Sequence, residues 1–153
     1  MPTEIAKGSI ASIANWFNRA KPEVIRKDWQ VQVGVHFEEV SEMVESLKGT
    51  DRMTQSLLTQ ALIANHALAL HLKTSKKETI ETVSDIDFLD ACCDQIVTAT
   101  GSAEFLGMHI GAAVAHVDES NWSKFVDGEA VFDENGKIAK GPSYFAPDLT
   151  PYI

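Results

Sequence analysis

Six apolar residues, Trp29, Val33, Phe37, Val40, Val44 and Leu47, recur three or four positions apart through a stretch without proline. That period is one face of an α-helix and excludes a strand, whose faces alternate at every second residue. A helix carrying such a stripe must cover it against other elements, so helix-on-helix packing is expected. Ser9 caps an earlier helix running through Ala20, with Ile10, Ile13 and Phe17 on one stripe. Pro22 suits the first turn of the second helix, which should run to about Lys48 and stop at Gly49. A third helix is predicted from about Asp51 to Leu72, with Met53, Leu57, Ala61, Leu68 and Leu72 at helical spacing. The polar stretch Lys73–Thr79 connects it to a fourth helical region that starts near Thr82 and can continue to about His116. Gly101, Gly107 and Gly111 either break that region or admit a close neighbour. Beyond Asn121, Asp133–Gly136 reads as a hairpin turn between short strands at Ala130–Phe132 and Lys137–Ala139. The proline-rich end should be an extended tail. The expected fold is all-α: a bundle of about four to five helices in one domain, residues 1–153, with a short C-terminal β-hairpin and extended tail over about 127–153.

The length of 153 residues suits one domain with a real core. The net charge of −9 argues against nucleic acid or an anionic membrane as the main partner, since both require a basic surface. No segment is apolar and long enough to span a bilayer, and no N-terminal stretch reads as a signal peptide, so a cytoplasmic protein is expected. The two cysteines, Cys92 and Cys93, are adjacent within an apolar run and read as reduced core thiols.

Two acidic segments stand out. His36–Ser46 packs Glu38, Glu39, Glu42 and Glu45 into eleven residues. On a wheel of about 100° per residue with Glu38 at zero, these four lie within about 120° of one another, opposite an apolar stripe centred near about 220°. Alone, this is the solvated face of an amphipathic helix. The segment Asp87–Gly101 is more pointed: Asp87, Asp90 and Asp94 share an arc of about 60°. Their neighbours are Phe88, Leu89, Ala91, Cys92, Cys93, Ile96 and Val97, and neither lysine nor arginine occurs from Glu78 to Val117. A helix this apolar should be mostly buried, and buried carboxylates need a partner, a proton or a metal. Two such arcs without interleaved basic residues, facing each other, would suit hard divalent cations.

Other chemistries fail on spacing. No histidine has a glutamate three positions before it, so a ferritin-like di-iron site is excluded, and HExxH, a His-Asp dipeptide, a P-loop and a dinucleotide-binding glycine pattern are all missing. His36 lies one turn before Glu39 and is the histidine nearest the acids in sequence.

Glu38-Glu39-Val40-Ser41-Glu42 matches EExxE, and Asp87-Phe88-Leu89-Asp90 resembles ExxD. With Asn121–Lys124 (in ESNWSKFVDG) and the segment GKIAKGPSYFAPDL, the chain from about Val31 to Leu149 resembles the MazG-like all-α nucleoside triphosphate pyrophosphohydrolases of phage and bacteria. Two departures from that pattern matter. Asp87 stands where the family usually has Glu, and the spacing from Glu42 to Asp87 exceeds that of compact members.

The resemblance implies hydrolysis of a (deoxy)nucleoside triphosphate to the monophosphate and pyrophosphate, with two to three Mg²⁺ or Mn²⁺ ions per site. It implies Glu39, Glu42, Asp87 and Asp90 as metal ligands, with Asp94 sharing or taking over a ligand role. Glu38 is the candidate catalytic base or further ligand. Asn121, Ser123, Lys124 and Lys140 are the candidate phosphate contacts, and Trp122 and Tyr144 the candidate base-stacking rings. It also implies a homo-oligomer, dimer or tetramer, acting in a bacterial or phage-infected host cytosol. A purine such as dGTP is mildly favoured. The alternatives are an acidic helical module that binds a basic partner without catalysis, and a hydrolase of another phosphoanhydride.

Overall fold

The computed structural model describes residues 5–132 and 138–153. Five α-helices occur among them: α1 (Ile10–Ala20), α2 (Arg26–Glu45), α3 (Arg52–Thr74), α4 (Asp85–Glu104) and α5 (Ile110–Trp122). A 3₁₀ turn at Thr150–Tyr152 follows. The all-α class is therefore as expected. The chain divides into two compact units, one of Met1–Pro22 with Val83–Ile153 and one of Glu23–Thr82.

The smaller unit is the antiparallel pair α2 and α3. Helix α2 begins at Arg26, four residues later than Pro22 suggested, because Asp28 Oδ2 accepts the Ile25 N–H at 3.0 Å and fixes the first turn there. It ends at Glu45, with the Ser46 hydroxyl donating to Met43 O at 2.7 Å. Gly49 is therefore not its cap. Instead the loop closes onto α3 at Gly49, where a Cβ would lie 2.4 Å from Gln55 N. Asp51 caps α3 as its sequence position suggests, accepting from Thr54 N at 2.9 Å and Thr54 Oγ1 at 2.7 Å.

The most deeply buried face of α2 lies beside its apolar stripe, whose Trp29, Val33, Phe37, Val40 and Val44 are half-buried. The buried residues are Gln30, Gly34 and Ser41, which lie at about 280–320° on the wheel. Gly34 permits the approach, since a Cβ there would sit 2.9 Å from Lys73 Cγ and 3.1 Å from Ala69 O. Gln30, 1% exposed, donates to Leu72 O and Lys77 O and accepts from Thr79 N at 2.6 Å. It also accepts from the Thr79 hydroxyl at 3.2 Å, so all four bonding roles of one amide are used, one on the end of α3 and three on the segment after it. On α3, Ala69 and the stripe residue Leu72 are buried, but Met53 and Leu57 stay exposed.

In the larger unit, α1 packs on α5, and α5 meets α4 and the terminal 3₁₀ turn. Asp118 on α5 is 3% exposed and accepts from Gly8 N at 2.9 Å and from the Ser12 hydroxyl at 2.6 Å. Gly8 is required at that point: its φ is +71°, and a Cβ would lie 2.6 Å from Ala115 Cα. Thus α1 buries Ser12 and Ala20 and leaves Ile10 and Phe17 exposed. The long helix allowed between Thr82 and His116 is broken. Gly107, at φ +80°, ends α4 in a Schellman motif, with Gly107 N bonding Glu104 O and Met108 N bonding Ala103 O.

Two expectations are corrected. Among the described residues there is no strand, and the C-terminal β-hairpin is replaced by isolated bridges at Val126–Glu129 and Phe132–Ile138. The turn at Asp133–Gly136 lies outside the described residues. A tight turn does form at Asp127-Gly128, where both residues have positive φ and Val126 and Glu129 exchange two hydrogen bonds of 2.9 Å. That Asp-Gly pair was the hairpin signal to read. The second correction concerns α4, which has no buried residue. Cys93 is exposed and Cys92 half-buried, so they are not core thiols. Among the described residues, no helix is long and apolar enough to cross a membrane.

Candidate functional site

The candidate residues fall in three groups, one in the smaller unit and two in the larger. On α2, Glu39 and Glu42 are exposed and Glu38 is half-buried. Helix α3 docks beside Glu38, and Lys73 Nζ donates to Glu38 Oε1 at 2.5 Å. His66 Nε2 lies 3.8 Å from Glu45 Oε1. Glu38 therefore does have a cationic neighbour, Lys73, supplied by α3 from 35 residues downstream. No local spacing rule could reveal that pair. Ser41, between the glutamates, is buried and donates to Phe37 O at 2.9 Å. His36 is exposed, with its ring 6.3 Å from that of Phe37.

On α4, Asp87, Asp90 and Asp94 are all exposed. Ser84 caps the helix, its hydroxyl accepting from Asp87 N at 3.2 Å. Asp85 and Asp87 occupy the first turn, where exposed N–H groups and the helix dipole favour negative charge. Asp87 thus has a structural reason to be acidic. Asp90 and Asp94 lie beyond the reach of that effect.

The third group sits where α5 ends. Lys124 Nζ donates to Asn121 Oδ1 at 2.8 Å and lies 5.9 Å from the Trp16 ring centroid. The Ser123 hydroxyl donates to Ser120 O at 2.7 Å and accepts from Phe145 N at 3.2 Å, so it anchors the tail. The buried Ser120 hydroxyl reinforces that anchor by donating to Phe145 O at 2.7 Å. The tail turns at Gly141-Pro142-Ser143-Tyr144, closed by Tyr144 N to Gly141 O at 3.0 Å, with proline at its preferred second position. A Cβ on Gly141 would lie 3.3 Å from Lys124 O. The backbone at Gly141, next to Lys140, therefore runs beside Lys124. Lys140 Nζ lies 4.8 Å from the Tyr144 ring centroid. Trp122 packs tilted on buried Phe125 at 5.2 Å. Both rings proposed for base stacking thus already have a ring or a cation against them.

Trp16 was missed by sequence reasoning. Its indole Nε1 donates to Asn121 O at 2.9 Å across 105 residues. A lone tryptophan on a short helix carries no signal for such a contact.

Carboxylate-only donors match hard cations such as Mg²⁺ in chemistry. Among the described residues, however, no group of three or more His, Cys, Asp or Glu side chains is gathered to hold a metal ion. A cleft of about 160 Å³ between α2 and α3, lined by Val44, Leu47, Gln55, Leu58 and Leu62, is too small for a nucleotide. No family model, curated protein or solved structure matches the chain.

Proposed function

We propose that the protein is a metal-dependent (deoxy)nucleoside triphosphate pyrophosphohydrolase. The observation that carries this reading is the arc of Asp87, Asp90 and Asp94 on a helix within a forty-residue stretch that lacks lysine and arginine. The resemblance to the pyrophosphohydrolases adds Glu39 and Glu42 on α2, both exposed, as further candidate ligands. Mg²⁺ bound by these groups would offset the repulsion between a −9 chain and a triphosphate and supply an activated water. In the reaction, a water oxygen bonds to the α-phosphorus, the bond from that phosphorus to the α–β bridging oxygen breaks, and pyrophosphate leaves. Lys124 and Lys140 bind phosphate oxygens and Asn121 orients Lys124. Ser123 contributes through the tail it anchors. Glu38, whose ion pair with Lys73 fixes its position, accepts a proton or completes the ligand set. A purine such as dGTP is the favoured substrate, and the cytosol the proposed location.

The functional form is a homo-oligomer, dimer or tetramer. Helices α1 to α4 each leave apolar side chains exposed, among them Leu57 at 56% and Leu89 at 65%. Apolar surface on this scale calls for a partner.

The same exposure favours a second reading, an acidic helical interaction module without catalysis. One experiment separates the two: incubation with each dNTP and Mg²⁺, followed by identification of products. Monophosphate and pyrophosphate are expected. Release of orthophosphate as the first product rules out attack at the α-phosphorus, and no turnover on any dNTP leaves the interaction module or a hydrolase of another phosphoanhydride.

A further inference from the structure

We propose that Trp16 is a positioning residue for the phosphate-binding lysine Lys124, an inference that rests on the functional reading above. The ring of Trp16 lies beneath the Lys124 ammonium, while its indole N–H holds Asn121 by the backbone. Asn121 in turn takes one of the three Lys124 N–H donors through Oδ1. Two independent contacts from one side chain thus converge on both members of an Asn–Lys pair.

The physical case is preorganisation. A free lysine samples many rotamers, and fixing them on binding costs affinity. Here the stem lies half-buried, and an aromatic face and a carbonyl oxygen select its conformation before any ligand arrives. Helix α1 is itself held firmly enough to impose this. Asp118 accepts from Gly8 N and the Ser12 hydroxyl, and Arg19 Nε donates to Gly128 O at 2.6 Å. Trp16 stands between these two fastenings and also meets Phe17 edge-on at 5.0 Å and Phe125 at 6.0 Å. The N-terminal helix therefore sets the geometry of a segment more than a hundred residues away.

The ligand class is the polyphosphate of a nucleotide. Because Trp16 acts through Lys124, its effect should appear in substrate binding and vanish when the lysine is gone. Trp16→Leu should raise KM for the dNTP about three- to tenfold while kcat stays within about twofold. Trp16→Phe, which keeps a ring but loses the N–H, should fall between it and the parent. In a Lys124→Ala background, Trp16→Leu should add nothing to KM. An unchanged KM, a loss confined to kcat, or additive effects of the two substitutions would overturn the proposal. Should Trp16→Leu fail to fold, the cycle is read with Trp16→Phe. If the parent protein hydrolyses no dNTP, the functional reading fails and the positioning claim is judged by calorimetric titration with inorganic tripolyphosphate. A Kd at least about threefold weaker in Trp16→Leu supports it, and an unchanged Kd overturns it.

Discussion

At the scale of single residues, the acids on α2 and α4 are not equivalent. Glu38 accepts a hydrogen bond from Lys73, and Asp87 sits where a helix start favours an acid. Glu42, Asp90 and Asp94 are the residues whose charge the fold does not account for. All three are exposed. Glu42→Gln, Asp90→Asn and Asp94→Asn should each lower turnover by at least about tenfold, as loss of groups that orient a metal or substrate commonly does. In chelator, the melting temperature of each variant should stay level or rise, because like-charge crowding is relieved. A marked drop in chelator would assign the residue to the fold instead. Glu38→Gln should behave differently and cost about 0.2–1 kcal/mol without metal, the usual range of a partly exposed ion pair. Urea denaturation with EDTA measures both.

At the scale of elements, the caps are local and the faces are not. Asp51 shows the first point. Its carboxyl is held below the ordinary carboxylate range, chiefly by the Thr54 backbone N–H and then by the Thr54 hydroxyl. A depressed carboxyl stabilises the folded form above its unfolded value, and that contribution is lost as pH falls through the folded value. Glu119, beside Lys7, and Asp148, beside Thr150, are shifted the same way and add to the same acid-side loss. Asp51→Ala should therefore lower the melting temperature at pH 7 and narrow its gap to the parent as pH falls from about 5 towards 2. Thermal melts across that range test it, and a gap that is independent of pH would show that the cap acts without its charge. The second point is seen in α1 and α2, which bury Ser12 and Ala20 in one case and Gln30, Gly34 and Ser41 in the other. Small and amide-bearing residues let two helix backbones approach or bond there, while the apolar stripe of α2 stays half-buried and Ile10 and Phe17 of α1 stay exposed.

At the scale of the whole molecule, the consequence is a set of apolar stripes facing solvent in each unit. Val97 on α4 is 67% exposed and Leu57 on α3 is 56% exposed. Light scattering at micromolar concentration should find a dimer or larger. A Leu57→Lys, Leu68→Lys double variant should shift the distribution towards monomer, since a charge placed in an apolar contact without a partner is costly. A monomeric parent would remove both the oligomer and the explanation for these stripes.

The sequence by itself determined the helices, because their hydrogen bonds and caps are local. Ser9, Asp51 and Ser84 each bond a residue three positions ahead, and the 3.6-residue period marks the segments between. It also located the acidic arcs on α2 and α4, which depend only on spacing along one helix. Only the tertiary structure decided which face of each helix is covered, that Lys73 meets Glu38, and that Asp118 clasps α1. The tail returning to Lys124 and the indole of Trp16 reaching Asn121 belong to the same class. Those contacts join residues tens to more than a hundred positions apart, and their geometry is set by how helices pack, which no window of local sequence encodes.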